Sequence, residues 1–226
     1  MIETCPEKSR QPKFGECPMF NPLRKSILIS IMLFSVLLIS GCVTVNQRVD
    51  LLYEPTGTAK GGFGEFNLTE APDIRPHSGE KIGGQWVLGN IFDKDGEKVA
   101  NVVTSRSPND LIIDVFSQEL KSSGYKAVQV IKSLPTGVGK GLRIVDVKID
   151  LDKTTKLFMS EATCSVKITV QPWRDGNATN TLKYEAVLTT SKITDRDRIV
   201  TDILQKTLQK VMAKAMPEIV GIIEQK

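Results

Sequence analysis

The sequence predicts an α+β domain: an antiparallel sheet of about four strands plus an N-terminal β portion, with two amphipathic helices packed on one face. Three observations predict it. The runs 143–152, 161–171 and 181–191 alternate apolar and polar residues, which gives a strand one wet and one buried face. The stretches 108–123 and 195–216 instead place apolar residues at helical spacing. Asp93-Lys94-Asp95-Gly96 and Arg174-Asp175-Gly176-Asn177 are turn signals between strand-like runs, as in hairpins. A sheet with one apolar face and two helices with one stripe each bury most by packing together in two layers.

Residues 1–41 read as a secretory signal. The pair Arg24-Lys25 precedes an apolar run, Ile27 to Ile39, and small residues follow at Ser40-Gly41. Spanning a bilayer takes about 20 apolar residues, and this run is shorter. Residues 1–23 are too polar for a signal start, so translation is expected to begin at Met19, with 1–18 an artefact of gene calling. Ile39-Ser40-Gly41-Cys42 resembles the bacterial lipobox. That resemblance implies cleavage between Gly41 and Cys42, a diacylglycerol on the Cys42 thiol and an acyl chain on its new amino group. No other cofactor is expected. In enterobacteria-like sorting an Asp after the cysteine favours inner-membrane retention, so Val43 favours the outer membrane, facing the periplasm.

Residues 42–47 form a short tether, and 48–226 a single periplasmic domain. Its portion 48–106 is expected to be β-rich. Val49, Leu51 and Tyr53 alternate with polar residues, so 48–53 reads as a strand, and Phe66 and Leu68 mark a second. Gly57, Gly61, Gly62 and Gly64 loosen the chain between them. Ile82–Phe92 and Glu97–Thr104 flank the Asp95-Gly96 turn. That turn lacks the Gly and Glu spacing of a calcium loop. The portion 107–226 reads α-β-β-β-β-α. Ser107 caps, Pro108 takes the first helical position, and Asp110 is the capping acid. Gly124 ends this helix near 123. Strands are expected at Tyr125–Ile131 and at the three alternating runs. The last helix starts near Thr194, with Asp197 as capping acid, and Pro217 should kink or break it.

Charge and chemistry are uninformative by comparison. The five basic residues and three acids of 1–41, taken from 30 Lys+Arg and 26 Asp+Glu, leave 25 and 23, a net of +2. No basic tract or interleaved aromatic cluster predicts a nucleic-acid partner. Beyond Cys42 only Cys164 follows, so no disulfide is expected within the domain, and its alternating run makes it a small buried hydrophobe. His77 stands alone, and no metal site is expected. Gly137-Val138-Gly139-Lys140-Gly141 lacks the first glycine and the Ser/Thr of a phosphate loop and reads as a flexible loop. Asp146, Asp150 and Asp152 share a strand face with Lys148 and read as a solvated surface. No nucleophile elbow or triad is present, so no enzyme activity is expected. Asp73, Arg75, Trp86 and Trp173 are the candidate binding residues: the charged pair for a ligand, the tryptophans as anchors for a partner.

Several words of the chain resemble the YajG-like family of bacterial envelope lipoproteins. They are the lipobox at Cys42, Asp73-Ile74-Arg75, the 108–123 helix running into Ser123-Gly124-Tyr125, the strand around 143–151, Lys183-Tyr184-Glu185-Ala186, and the amphipathic last helix. The resemblance implies an α+β envelope lipoprotein and supplies no reaction. The expected role is a non-enzymatic accessory or interaction protein of envelope assembly or transport, with the membrane and an envelope protein as partners. The alternative is a module that binds a lipid, glycan or peptidoglycan fragment.

Overall fold

A computed structural model of the chain describes residues 45–70, 80–132, 139–194 and 197–225. Among them the strands are β1 (Gln47–Arg48), β2 (Glu65–Glu70), β3 (Lys81–Ile82), β4 (Gln85–Phe92), β5 (Lys98–Thr104), β6 (Ala127–Val130), β7 (Lys140–Thr155), β8 (Ser160–Arg174), β9 (Asn177–Ala178) and β10 (Leu182–Lys192). The helices are α1 (Pro108–Ser123), between β5 and β6, and α2 (Ile199–Glu224), after β10. All the strands join one sheet, so the class is α+β and the sheet is larger than the four-stranded one expected.

The alternating runs make its centre. β7 and β8 pair antiparallel along their whole length, and β10 pairs antiparallel with β8. Hairpin logic alone predicts an antiparallel sheet, and here it fails. β7 is so long that two strands share its other edge: β2 lies parallel to 141–144, and β4 parallel to 153–154. β6 does not pair with its sequence neighbour β7. It lies parallel to β2, and β1 parallel to β5. Parallel pairs need crossover connections, and α1 sits in one of them.

A bulge corrects the reading of β7. Leu142 and Ile144 face the core at even positions; Val147, Ile149 and Leu151 face it at odd ones. One register shift between Ile144 and Asp146 reconciles the two phases, and Val145, expected in the core, is the bulged, half-exposed residue. Gly89 lets β4 approach β7: a Cβ there would lie 1.7 Å from the Leu151 carbonyl oxygen. Asp152 Oδ1 then accepts from the Asn90 backbone N–H at 3.3 Å.

Both helices cover one face and touch each other, α2 lying over β8 and β10 and α1 over β2, β6 and β7. α1 forms as its sequence dictates. Ser107 Oγ accepts from the Asp110 N–H at 3.0 Å, Pro108 begins the helix, and Gly124 ends it at φ 115°. α2 departs from expectation at both ends. It begins at Ile199 with no side-chain cap, not near Thr194, and it runs through Pro217 to Glu224. Proline removes one helical hydrogen bond. Pro217 and Ala213, whose carbonyl loses that bond, both lie on the exposed face, where water can serve the carbonyl. Ala215, Met216, Ile219, Val220 and Ile223 meanwhile stay buried and hold the last turns in place.

The segment after β1 is a strap, not the strand expected over 48–53. Val49, Tyr53 and Ala59 are buried along it. Gln205 and Gln209 on α2 donate to the Glu54 carbonyl, at 3.5 and 3.0 Å. Ile82–Phe92 is two strands, turning at Gly83 and Gly84, both at positive φ.

Candidate functional site

Gly41, Cys42, Asp73, Arg75 and His77 lie outside the described residues, as do Gly137 and Val138 of the glycine-rich loop. Lys140 and Gly141 of that loop open β7 and are not loop residues. Trp86 and Trp173 are both half-buried on strands, but nothing brings them together. Trp86 sits on β4 opposite Lys81, whose Nζ lies 4.2 Å from its ring centroid. Trp173 sits near the end of β8, opposite Gly141. Arg143, one strand over on β7, stacks on it at 5.0 Å. Both Trp173 Nε1 and Arg143 Nε are buried without a hydrogen-bond partner. In the register, Gly141 and Arg143 alternate with the core residues Leu142 and Ile144, so this pair lies on the sheet face away from the helices.

At the same end of the sheet, Lys140 forms a cluster that the sequence reading missed. Its Nζ lies 2.5 Å from Glu224 Oε2, donates to the Phe63 carbonyl at 3.2 Å and sits over the Phe63 ring at 3.4 Å. Arg174 Nη1 donates to the carbonyls of Ile222 and Gln225 at 3.3 and 3.2 Å. The last turn of α2 has no basic residue of its own. The sheet supplies the cations that the negative helix end favours. Tyr125 closes the cluster edge-on to Phe66, with ring centroids 4.8 Å apart. Burial, and after it the neighbouring Glu224 carboxylate, hold the Tyr125 hydroxyl well above the usual phenol range, although its oxygen makes no well-formed hydrogen bond.

The second missed group is Glu119, fully buried in the apolar stripe of α1. Its Oε1 accepts from the Tyr53 hydroxyl at 2.5 Å and the Thr56 N–H at 2.7 Å; its Oε2 accepts from the Thr56 hydroxyl at 3.0 Å. Three donors satisfy the carboxylate and lock the strap to the helix. Burial first, then Glu119, push the Tyr53 phenol well above its ordinary value. A polar residue three positions after Phe116 was the sequence signal for this pairing. Cys164 is fully buried, and burial pushes its thiol up to about 12, so it is inert at neutral pH. Among Asp146, Asp150 and Asp152, Asp150 pairs with Lys148 and Asp152 serves β4, as a solvated strand face does.

Among the described residues no group of His, Cys, Asp or Glu could hold a metal ion, and no helix is long and apolar enough to cross a membrane. No family model matches the sequence, and no curated protein matches it. Some solved structures superpose on it in part. A Xanthomonas campestris protein of family DUF330 superposes with TM-score 0.46 at 14% identity, covering 79% of this chain and 97% of that one. A neuraminyllactose-binding hemagglutinin homologue from Helicobacter pylori gives 0.34 at 13%, covering 75% and 87%. A minor lipoprotein from Acinetobacter baumannii gives 0.31 at 10%, covering 76% and 95%. Each TM-score is below 0.5, so these likenesses stand as observed and carry no function across.

Proposed function

We propose that the chain is a lipid-anchored envelope lipoprotein, acylated at Cys42 and facing the periplasm from the outer membrane. Its role is non-enzymatic: it holds a protein partner of an envelope assembly or transport system. One observation carries the reading. The apolar run Ile27–Ile39 and the small pair Ser40-Gly41 end directly at Cys42 in the lipobox pattern, and β1 begins only five residues later, at Gln47. The expected anchor is therefore joined to the domain by a short stretch of sequence.

Mass spectrometry of the N-terminal peptide from membranes should show acyl mass on Cys42, and Cys42→Ser should move the protein into the soluble fraction. An unmodified Cys42 in membrane-derived protein would sink the anchor. Crosslinking and pull-down from membranes should recover one defined envelope complex; a clean monomer without partners counts against the accessory role.

A second reading, binding of a glycan or peptidoglycan fragment, is favoured by the Trp173–Arg143 stack. An aromatic face beside two buried, unsatisfied N–H groups suits a sugar ring with polar substituents. In a Trp86→Phe chain, titration with such fragments should shift the remaining tryptophan emission; no shift across a glycan panel would remove this reading.

A further inference from the structure

Eight large apolar side chains are well exposed among the described residues: Val45, Leu52, Phe63, Val130, Leu157, Phe158, Val187 and Ile193. Scattered singly, such residues are ordinary. Four of these are not scattered. β7 and β8 are joined by the turn Lys156–Met159, closed by a 2.8 Å bond from the Lys156 N–H to the Met159 carbonyl. Leu157 and Phe158 stand at its apex, 74% and 78% exposed. Ser160 pairs with Lys192 on β10, so Ile193, 73% exposed, follows directly beside this turn.

The register also fixes where the chain enters. β1 runs parallel to β5, with Gln47 opposite Val102, and Asn46 Oδ1 accepts from the Asn101 N–H at 3.0 Å. Val45 therefore stands one step nearer the start of β5. That start, Lys98, pairs with Phe92 at the end of β4, and Phe92 pairs with Thr154 beside the apical turn. Gln47 fastens this entry: its Nε2 donates to the Asp197 carbonyl at 2.5 Å, and its Oε1 accepts from Lys153 Nζ at 2.9 Å. Three extended residues span about 10 Å. Val45 stands at the end of the sheet that carries the apolar turn, and three residues of chain can put no more than that span between it and Cys42.

We propose that this end, with Leu157, Phe158 and Ile193 at its tip, inserts shallowly into the bilayer surface that anchors Cys42 and fixes the orientation of the domain on the membrane. The proposal rests on the lipid-anchor reading and deepens it. A short tether keeps the tip at high effective concentration against the bilayer, so three side chains suffice where they would bind weakly alone. Interfacial apolar groups sink about 5–10 Å, to the boundary between headgroups and acyl chains, which suits a projecting two-residue turn better than a groove for a partner helix. Three lysines around the tip have carboxylate partners: Lys156 with Glu161, Lys94 with Asp95, Lys192 with Asp202. The insertion draws on the apolar side chains of the turn.

The two tryptophans make a test convenient, because both sit well away from the tip. Trp173 pairs with Gly141 at the opposite end of β7, and Trp86 lies five residues back along β4 from the Ile91–Lys153 pair. Full-length protein with its native acylation is reconstituted into phosphatidylethanolamine–phosphatidylglycerol vesicles carrying brominated acyl chains. Emission from the native chain should be unaffected by bromination. The Phe158→Trp chain should show an added blue-shifted component that bromine quenches about twofold or more, as expected at interfacial depth. Adding Leu157→Asp to it should abolish that quenching with the far-ultraviolet circular dichroism unchanged. A Phe158→Trp chain that floats with the vesicles, carries acyl mass on Cys42 and is not quenched overturns the inference and leaves the anchor standing, even if the tip captures a protein instead. A chain with unmodified Cys42 that does not float overturns the anchor, and the inference falls with it.

Discussion

Single residues decide more of this structure than their chemical type announces. Glu119 is an acid in an apolar stripe, and it is tolerated because Tyr53 and Thr56 give it three hydrogen bonds. Removing a partner from a buried charged network costs more than the net worth of the bonds. Glu119→Ala should therefore lower unfolding free energy by about 3 kcal/mol, read from urea midpoints. Tyr53→Phe, which leaves the carboxylate two donors, should cost about 1 kcal/mol. Gly89 matters through what it lacks. A methyl group at 1.7 Å from a backbone oxygen has nowhere to go, so Gly89→Ala must push β4 off β7. A loss of about 3 kcal/mol is expected; a melting temperature equal to that of the native chain would show that the strands separate without cost.

At the scale of elements, α2 shows how neighbours complete a helix. Its apolar side is continuous from Ile199 to Ile223, but its C-terminal carbonyls depend on Arg174 from the sheet, and its Glu224 carboxylate pairs with Lys140. Arg174→Ala should cost about 1 kcal/mol and should speed hydrogen exchange in the last two turns while leaving the first turns protected. Uniform exchange along the helix would contradict a local role. Pro217 points the other way. It forgoes a bond on an exposed face of a helix that forms regardless, so Pro217→Ala should raise stability by about 1 kcal/mol or more, visible as a higher thermal midpoint. α1 needs no such help, because Ser107, Pro108, Asp110 and Gly124 supply both of its ends.

For the whole molecule, the core sets an alkaline limit. Tyr53, Tyr125 and Tyr184 are all raised above the phenol value of 10.0, first by burial and then by Glu119, Glu224 and Glu218 respectively. Cys164 is raised from 9.0 to about 12, again chiefly by burial. Each group holds its proton more tightly folded than unfolded. The unfolded chain therefore binds fewer protons at high pH, and stability falls as pH rises. The contribution is intact below about pH 9, declines as Cys164 would ionise in the unfolded chain, and declines faster above 10 as the tyrosines join. Each adds a slope of up to about 1.4 kcal/mol per pH unit. Denaturant midpoints should be flat across this part of the balance to pH 9 and drop steeply beyond 10, and Ellman's reagent at pH 8 should label Cys164 only on unfolding. On the proposed anchor and apolar tip, the domain stands end-on at the bilayer with the Lys140 and Trp173 end directed away from it.

Local pattern by itself determined the α+β class, the strands around 143–152, 161–171 and 181–191, both turn signals and the caps of α1. Those features follow from period and from residues that act within a few positions of themselves. The candidate pair Asp73 and Arg75 and the anchor at Cys42 remain properties of the sequence, outside the described residues. Tertiary structure decided the rest. Parallel pairing of β2 and β4 along one edge of β7 depends on the length of β7 and on the close backbone approach that the missing side chain of Gly89 permits, which no window of sequence displays. The even-to-odd shift at Val145 needs a partner strand to define it. The roles of Glu119, Lys140 and Arg174 depend on groups at least 48 positions away, and the gathering of Val45, Leu157, Phe158 and Ile193 at one end depends on register across six strands. Periodicity tells a residue which face it lies on; only the folded sheet tells it which neighbours share that face.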